Sequence, residues 1–161
     1  MEIRDLYDEN KVLTGEMIQK GESVPQGRYY ITVVVLIQNS KGEFLLEKCS
    51  ESKGGRWSLV GGHPKSGESS LDGIVMEIKE ELGVDAPREN IELFKTIKTE
   101  DDFVDLYYTK ADINIVNVVI QEEEVETAKW ASKDEIEQLI VKGVFLTPHV
   151  EFWKMYLSRT D

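Results

Sequence analysis

Apolar residues occur along the chain in short runs that predict the strands of a buried sheet. The run Tyr29–Ile37 is rich in β-branched residues and almost unbroken in its apolarity. A strand with one face in water alternates apolar and polar residues, so this run predicts a strand that is covered on both faces. The other predicted strands are Ile3–Tyr7, Val12–Met17, Glu43–Lys48, Ile91–Lys98, Phe103–Ala111 and Val125–Trp130. The first two flank a polar turn and predict a hairpin.

Three further segments carry the signals of helix ends. The predicted helices are Ser69–Gly83, a segment from Ser132 to about Val141, and a segment that begins near Pro148. Gly83 is a favoured residue at a helix C-terminus, and Ser132 with Glu135 has the spacing of a capping box. Strands and helices in this order predict an α/β (α+β) fold, in which a mixed β-sheet lies between helices as an α/β/α sandwich.

The size and charge of the chain limit its organisation and its partners. We expect its 161 residues to form a single domain over residues 1–161, with residues 1–28 as an N-terminal hairpin and extension. The formal net charge of -12 argues against binding to nucleic acid or to an anionic membrane. An anionic substrate would therefore need a local basic patch or a bridging cation.

Cysteine content and hydropathy indicate the compartment. Cys49 is the only cysteine, so no disulfide can form within the chain, which fits a reducing cytosol. The first ten residues are charged and lack the apolar core of a signal peptide. The run Tyr29–Ile37 has about half the length that a membrane helix requires. We therefore expect a cytoplasmic protein.

The first predicted helix carries three glutamates that need an explanation. Glu77, Glu80 and Glu81 fall within an arc of about 100° beside the apolar stripe, and no Lys or Arg is spaced to pair with them on that face. Like charges at these spacings destabilise a helix by roughly a few tenths of a kcal/mol per pair. One interpretation is a solvated acidic face. The other is a site for Mg²⁺ or Mn²⁺, which prefer oxygen ligands.

Glycines near this helix favour the metal site. Gly61 and Gly62 form a turn before the helix, and backbone carbonyls in such a turn can face the carboxylates. Gly73 lies inside the helix on the carboxylate side, where glycine costs about 1 kcal/mol relative to alanine. We therefore expect another group to approach the helix backbone closely at Gly73.

Residues 61–84 resemble the Nudix box, a motif of fixed spacing that forms a loop and a helix. Eight positions of the motif are matched, by Gly62, Glu68, Glu77, Ile78, Glu80, Glu81, Gly83 and Val84. Met76 occupies the position at which the family has Arg. The order of the predicted strands over about residues 29–141 is also similar to that of the Nudix fold.

The resemblance implies a Mg²⁺- or Mn²⁺-dependent hydrolase. Members of the family cleave a phosphoanhydride in a nucleoside diphosphate linked to another group, or in a related diphosphate. By resemblance, Glu77, Glu80, Glu81 and the carbonyl of Gly61 bind the metal, and Glu77 and Glu81 are catalytic. Glu68 corresponds to a glutamate that is often structural.

The resemblance leaves the general base open. One candidate is Glu77. The other is a glutamate of the acidic loop Gln121–Glu124, because many family members place a late glutamate over the metal. The alternative interpretation of this loop is a solvated turn before the strand at Val125.

The expected partner is a small-molecule diphosphate, and cations near the motif are candidates to bind it. We expect substrate contacts from Arg56, Lys48 and His63, with Lys53 and Lys65 as further candidates. The sequence identifies neither the organic group of the substrate nor the oligomeric state, a homodimer included.

Two other functions remain as alternatives. Residues 57–69 resemble isopentenyl-diphosphate isomerases, which share the Nudix fold, but Gly61 replaces their catalytic Cys and only His63 and His149 are present as histidines. This implies an isomerase-like subgroup without isomerase chemistry. The second alternative is a weak or inactive diphosphate-binding module, which Met76 supports because the family Arg orients the carboxylates. The intact glutamates favour a hydrolase, and we expect it to turn over slowly.

Overall fold

The computed structural model describes residues 2–159, which form nine strands and three α-helices. The strands are β1 (Ile3–Tyr7), β2 (Leu13–Gln19), β3 (Tyr30–Gln38), β4 (Phe44–Cys49), β5 (Trp57–Ser58), β6 (Val60–Gly62), β7 (Glu92–Lys98), β8 (Asp102–Lys110) and β9 (Val125–Ala131). The helices are α1 (Ser70–Leu82), α2 (Lys133–Val141) and α3 (Thr147–Ser158).

Seven of the strands form one mixed sheet with β3 near its centre. The main strand order is β5-β4-β3-β8-β7, with β6 also paired to β3 and β9 also paired to β4. Strands β3 and β8 run parallel, and the other pairs are antiparallel. Strand β3 is therefore hydrogen-bonded along its length and carries apolar residues on both faces, as its unbroken apolarity predicts.

Helices cover both faces of this sheet, so the predicted α/β/α sandwich is confirmed. Alternate residues of a strand point to opposite faces. One face packs against α1, with a core that includes Ile31, Val33, Val35, Leu45, Ile74, Ile78 and Leu82. The other face packs against α2 and α3, with a core that includes Val34, Leu36, Phe44, Leu46, Ile136, Trp153 and Tyr156.

The N-terminal hairpin of β1 and β2 docks against the start of β3 and the loop before α1. Tyr7 and Tyr29 exchange backbone hydrogen bonds of 2.8 and 3.0 Å. The Lys11 ammonium donates to both carboxylate oxygens of buried Asp105 at 2.7 and 2.8 Å. The Ser66 amide donates to the carbonyl of Ile3 at 2.7 Å. The hairpin therefore contributes to the surface around the acidic helix.

The predicted strands and helices agree with the structure to within one or two residues at most ends, but the sequence analysis did not predict β5 and β6. These strands have two and three residues, and β6 consists of Val60 and two glycines. Glycine has low strand propensity, and pairing with β3 at Val33–Val35 fixes this segment as a strand. In residues 2–159 no helix is both long enough and apolar enough to cross a membrane.

Candidate active site

Helix α1 presents the three glutamates of the motif at the edge of the core. Its N-terminus is capped by Ser69, whose hydroxyl accepts from the Asp72 amide at 3.0 Å, while the Asp72 carboxylate accepts from the Ser69 amide at 3.0 Å. Its C-terminus ends at Gly83, which has a φ of 71°. The cap and the buried stripe fix the rotation of the helix, so the carboxylates beside the stripe face a cleft next to β6.

Glycines allow the backbone of β6 and of the following loop to lie close to α1. A Cβ atom on Gly62 would lie 2.2 Å from the Glu77 carboxyl carbon. A Cβ atom on Gly73 would lie 2.6 Å from Pro64. The close approach predicted at Gly73 is therefore present, and Pro64 is the residue that makes it. A side chain at Gly73 would push the loop away from the helix, whereas a side chain at Gly62 would displace the Glu77 carboxylate from its position.

Gly61 is held in the same way against the central strand. A Cβ atom there would lie 2.6 Å from the carbonyl oxygen of Val33, which is backbone and cannot move alone. This backbone therefore has no room for the cysteine that the isomerases carry at this position. Gly61 lines the cleft beside Glu77 and Glu81, as its predicted role as a backbone ligand requires.

Burial and mutual repulsion make the ionised glutamates unfavourable in the absence of a cation. Burial, followed by the neighbouring Glu81 and Glu80 carboxylates, raises the pKa of Glu77 to about 8. Burial also raises the pKa of Glu81, and the adjacent Glu47 carboxyl raises it further. Glu80 is more exposed and accepts a hydrogen bond of 2.6 Å from the Lys65 ammonium. The cation that the helix itself lacks is therefore supplied by the preceding loop.

A fourth carboxyl group, that of Glu47 on β4, lies against this cluster and was not predicted from the sequence. Glu47 is 3% exposed, and its carboxyl is within hydrogen-bonding distance of that of Glu81. It lies on the same face of β4 as Leu45, which packs towards α1. The sequence signal for it was available, because a glutamate two residues after a core leucine in a buried strand must face the same side.

The carboxylates line a cleft of about 570 Å³ that also contains basic residues. Glu77, Glu80, Glu81 and Glu124 form its acidic wall. The basic side chains at the cleft are Arg4, Lys20, Lys53 and Lys65. Arg4 and Lys20 come from the N-terminal hairpin, and the sequence analysis did not find them because their position depends on how the hairpin docks. This arrangement provides a local basic patch in an acidic protein.

The acidic loop Gln121–Glu124 reaches this cleft through one of its glutamates. The Gln121 amide donates to the carbonyl of Glu81 at 3.2 Å, which joins the loop to the end of α1. Glu124 lines the cleft and forms a salt bridge of 2.7 Å with Lys53. Glu122 and Glu123 are exposed. Of the late glutamates, Glu124 is therefore the one placed near the motif.

The donor set fits a divalent cation, although its side chains would have to move to hold one. Within residues 2–159, no three His, Cys, Asp or Glu side chains already stand in an arrangement that could hold a metal ion. In the same residues, buried oxygens of Glu47 (Oε2) and Glu81 (Oε1) have no hydrogen-bond partner. Unsatisfied carboxylate oxygens beside further carboxylates are suitable ligands for Mg²⁺ or Mn²⁺.

The two histidines lie next to the cleft in fixed positions. His63 lines the cleft, and its Nδ1 lies 3.3 Å from the carbonyl of Ile31 and 3.3 Å from the Thr32 hydroxyl. Burial, followed by the nearby Arg4 guanidinium, lowers the pKa of His63. Nδ1 of His149 accepts a hydrogen bond from the Leu59 amide at 3.0 Å. His63 thus serves as a loop hydrogen-bonding residue beside the site.

Two of the predicted substrate-binding residues do not line the cleft. Lys48 follows Glu47 on β4 and points to the opposite face, where it forms a salt bridge of 3.1 Å with Glu126. The exposed Arg56 guanidinium lies 3.3 Å from the Thr147 hydroxyl. The structure brings Lys53, Lys65 and His63 to the cleft, and it does not bring Lys48 and Arg56 there.

A second, largely apolar cavity of about 510 Å³ lies between the sheet and α3. Val104, Phe152 and Met155 contribute to its apolar wall. His63 lines both this cavity and the acidic cleft. His63 therefore lies between the acidic cleft and an apolar space.

Comparisons with known proteins agree with this fold. The family profile of the NUDIX domain matches residues 28–148. A Nudix hydrolase from Listeria monocytogenes is 31% identical over 150 residues, which cover 91% of this chain and 89% of that protein. The chain therefore belongs to the Nudix family, and it is a Nudix pyrophosphohydrolase.

Two further similarities concern the fold and the isomerase subgroup. A crystal structure of a protein from Deinococcus radiodurans superposes with a TM-score of 0.71 at 20% identity, covering 89% of this chain and 91% of that one. An isopentenyl-diphosphate Delta-isomerase from Pectobacterium atrosepticum is 36% identical over 83 residues, but these cover only 49% of this chain and 46% of the isomerase. The likeness to isomerases is thus confined to about half of each chain.

Proposed function

We propose that this protein is a Mg²⁺- or Mn²⁺-dependent hydrolase that cleaves the phosphoanhydride of a nucleoside diphosphate linked to another group, or of a related diphosphate. The observation that carries this proposal is the buried Oε1 of Glu81, which has no hydrogen-bond partner among residues 2–159, in a cleft that Glu77, Glu80 and Glu124 also line. A buried polar oxygen in this state needs an explanation, and a bound cation provides one.

Each residue of the cleft has a place in this chemistry. Glu77, Glu80, Glu81 and the Gly61 carbonyl would hold the metal. When bound, the metal would neutralise the diphosphate and make a nearby water more acidic. Glu77, or alternatively Glu124, would accept the proton of the attacking water, and the presence of both carboxylates at the cleft supports this role.

The basic residues and the apolar cavity would bind the substrate. Lys53 and Lys65 line the cleft and can contact phosphate oxygens once a cation has replaced them beside Glu124 and Glu80. The organic group of the substrate would pass His63 and enter the cavity beside Phe152. The low polarity of this cavity supports including non-nucleoside diphosphates among the candidates. A cytoplasmic location and a homodimer stay predictions.

A substrate panel tests the proposal. The purified protein is incubated with Mg²⁺ or Mn²⁺ and with nucleoside triphosphates, ADP-ribose, dinucleotides and prenyl diphosphates, and the phosphate-containing products are separated. We expect hydrolysis of at least one class, and we expect Glu81→Gln to abolish it. Glu92→Gln, a change to an exposed strand residue far from the cleft, is the matched control and should be as active as the wild type.

The same panel separates the two alternatives. If the protein binds compounds of the panel but hydrolyses none of them, the result would favour a diphosphate-binding module. Isopentenyl diphosphate should not be converted to dimethylallyl diphosphate, because Gly61 has no group to transfer a proton at carbon. Detection of dimethylallyl diphosphate by NMR above a control without protein would revive the isomerase interpretation.

A further inference from the structure

Glu47 is a buried acid that has no salt-bridge partner among residues 2–159. It is 3% exposed, and no Lys, Arg or His of residues 2–159 forms a salt bridge with it or with Glu81. Its neighbour Leu45 on the same face of β4 belongs to the core. Buried carboxyl groups are normally paired, bound to metal or neutralised by a proton, and no basic residue of 2–159 pairs with Glu47.

The contact between Glu47 and Glu81 requires something between the two carboxyl groups. Two ionised carboxylates have only acceptor oxygens, so their contact needs either a shared proton or a cation. A shared proton would satisfy one oxygen of each residue. Oε2 of Glu47 and Oε1 of Glu81 are buried and have no hydrogen-bond partner in residues 2–159. A cation can take these oxygens as ligands.

The space beside the pair is suitable for a hydrated cation. Glu47 and Glu81 line a cavity of about 210 Å³ that opens towards Gly61 and Glu124. A water molecule occupies about 30 Å³ in the liquid, so this cavity has room for an ion and several waters. The Ser58 side chain and Glu124 supply further oxygens at its wall. Mg²⁺ usually keeps several waters when it binds to one or two carboxylates.

We propose that Glu47 is a metal ligand of this protein, and that its carboxylate and that of Glu81 together bind a divalent cation at the inner end of the cleft. This inference rests on the proposed function, since Glu81 also belongs to the site formed by α1. It adds to that site a ligand from β4, outside the 61–84 motif.

Calorimetric titration of Mn²⁺ into the metal-stripped protein tests the inference. The variants are Glu47→Gln and the matched control Glu92→Gln. Gln at position 47 keeps the size of the side chain and can donate a hydrogen bond to Glu81, but it lacks the charge. We expect Glu47→Gln to weaken Mn²⁺ binding at least tenfold or to remove one binding event, and Glu92→Gln to bind as the wild type does.

Other outcomes overturn the inference in distinguishable ways. Unchanged Mn²⁺ affinity and stoichiometry in Glu47→Gln would show that Glu47 only supports Glu81 by a hydrogen bond, and the proposed function would stand. No Mn²⁺ binding by the wild type would overturn both proposals. A melting curve in EDTA checks that Glu47→Gln is folded. If it is not, Glu47→Asp replaces it, and an affinity as tight as that of the wild type, despite the shortened ligand, would overturn the inference.

Discussion

Lys65 and Met76 together show how single residues orient the acidic helix. Met76 occupies the family's Arg position, and its thioether has no hydrogen-bond donor to offer a carboxylate. The Lys65 ammonium instead donates to Glu80 from the loop before α1. An ammonium is a flexible point charge, whereas a guanidinium holds a carboxylate with a planar fork. The substitution of Arg is therefore compensated only in part.

We predict that Met76→Arg raises kcat with little change in KM. A misplacement of about 1 Å can cost on the order of a hundredfold in rate, and orientation matters most in the transition state. The gain should be larger in a Lys65→Met background, where Glu80 has lost its cation. Steady-state kinetics at saturating Mg²⁺ on the best substrate of the panel measures both. An unchanged or lower kcat in the Arg variant would show that Lys65 alone is sufficient.

The raised carboxyl pKa values predict how the stability of the metal-free protein depends on pH. Burial raises the pKa of Glu77 to about 8 and also raises the pKa values of Glu47 and Glu81. Above the unfolded value near 4.5 the folded state binds more protons than the unfolded state, so the free energy of unfolding falls as pH rises through this interval. The buried histidines, whose pKa values are lowered, act in the opposite direction and only below about pH 6.5.

We therefore expect the metal-free protein in EDTA to lose stability between pH 6.5 and 8, by on the order of 1 kcal/mol for each of these carboxyl groups. Urea denaturation at several pH values measures the loss. It should be smaller in Glu81→Gln, unchanged in Glu92→Gln, and reversed by Mg²⁺ in the wild type, because a cation bound only to the folded state stabilises it. A flat profile would mean that these carboxyl groups are not protonated in the folded protein.

At the scale of elements, one buried aspartate joins the hairpin, the sheet and the acidic helix. Asp105 of β8 is completely buried. It accepts hydrogen bonds from Lys11 in the hairpin turn, from Thr96 on β7 at 2.7 Å and from Ser70 at the start of α1. Its charge is therefore balanced by Lys11 and its oxygens are satisfied. The hairpin, which supplies Arg4 to the cleft, depends on this contact.

We predict that Lys11→Met destabilises the protein by about 3 kcal/mol, because removal of one partner leaves a buried charge uncompensated. The free energy of unfolding from urea denaturation is the measurement. Lys41→Met, at an exposed turn elsewhere, is the control. An effect no larger than that of the control would show that the hairpin does not depend on the ion pair.

At the scale of the whole molecule, local patterns and the motif predicted most of the fold and most of the residues that line the cleft. Helical period placed Glu77, Glu80 and Glu81 on one arc, and the motif spacing placed Gly61 beside them. Arg4 and Lys20 were not predicted, because their positions depend on how the hairpin docks, and periodicity does not contain such tertiary contacts. Glu47 was missed for another reason, since the strand alternation that points it towards the cleft was available in the sequence.

Strand alternation also explains why Lys48 was a poor candidate. Proximity in sequence to the motif favoured it, but a strand reverses its side chains at every residue. Glu47 therefore faces the cleft, while Lys48 faces away and pairs with Glu126. The strand at Glu43–Lys48 was predicted correctly. The alternation of its side chains would therefore have been sufficient to choose Glu47, and not Lys48, as the residue that faces the cleft.

The most direct test of the central claim is the site at which oxygen from water enters the products. The reaction is run in water enriched in ¹⁸O, with Mg²⁺ and the best substrate of the panel, and followed by ³¹P NMR. Attack of water on phosphorus predicts one ¹⁸O atom in a phosphate-containing product, no reaction in EDTA, and no reaction in Glu81→Gln. Turnover that leaves every phosphate unlabelled would mean cleavage at carbon or isomerisation, and it would contradict the assignment of this cleft to phosphoanhydride hydrolysis.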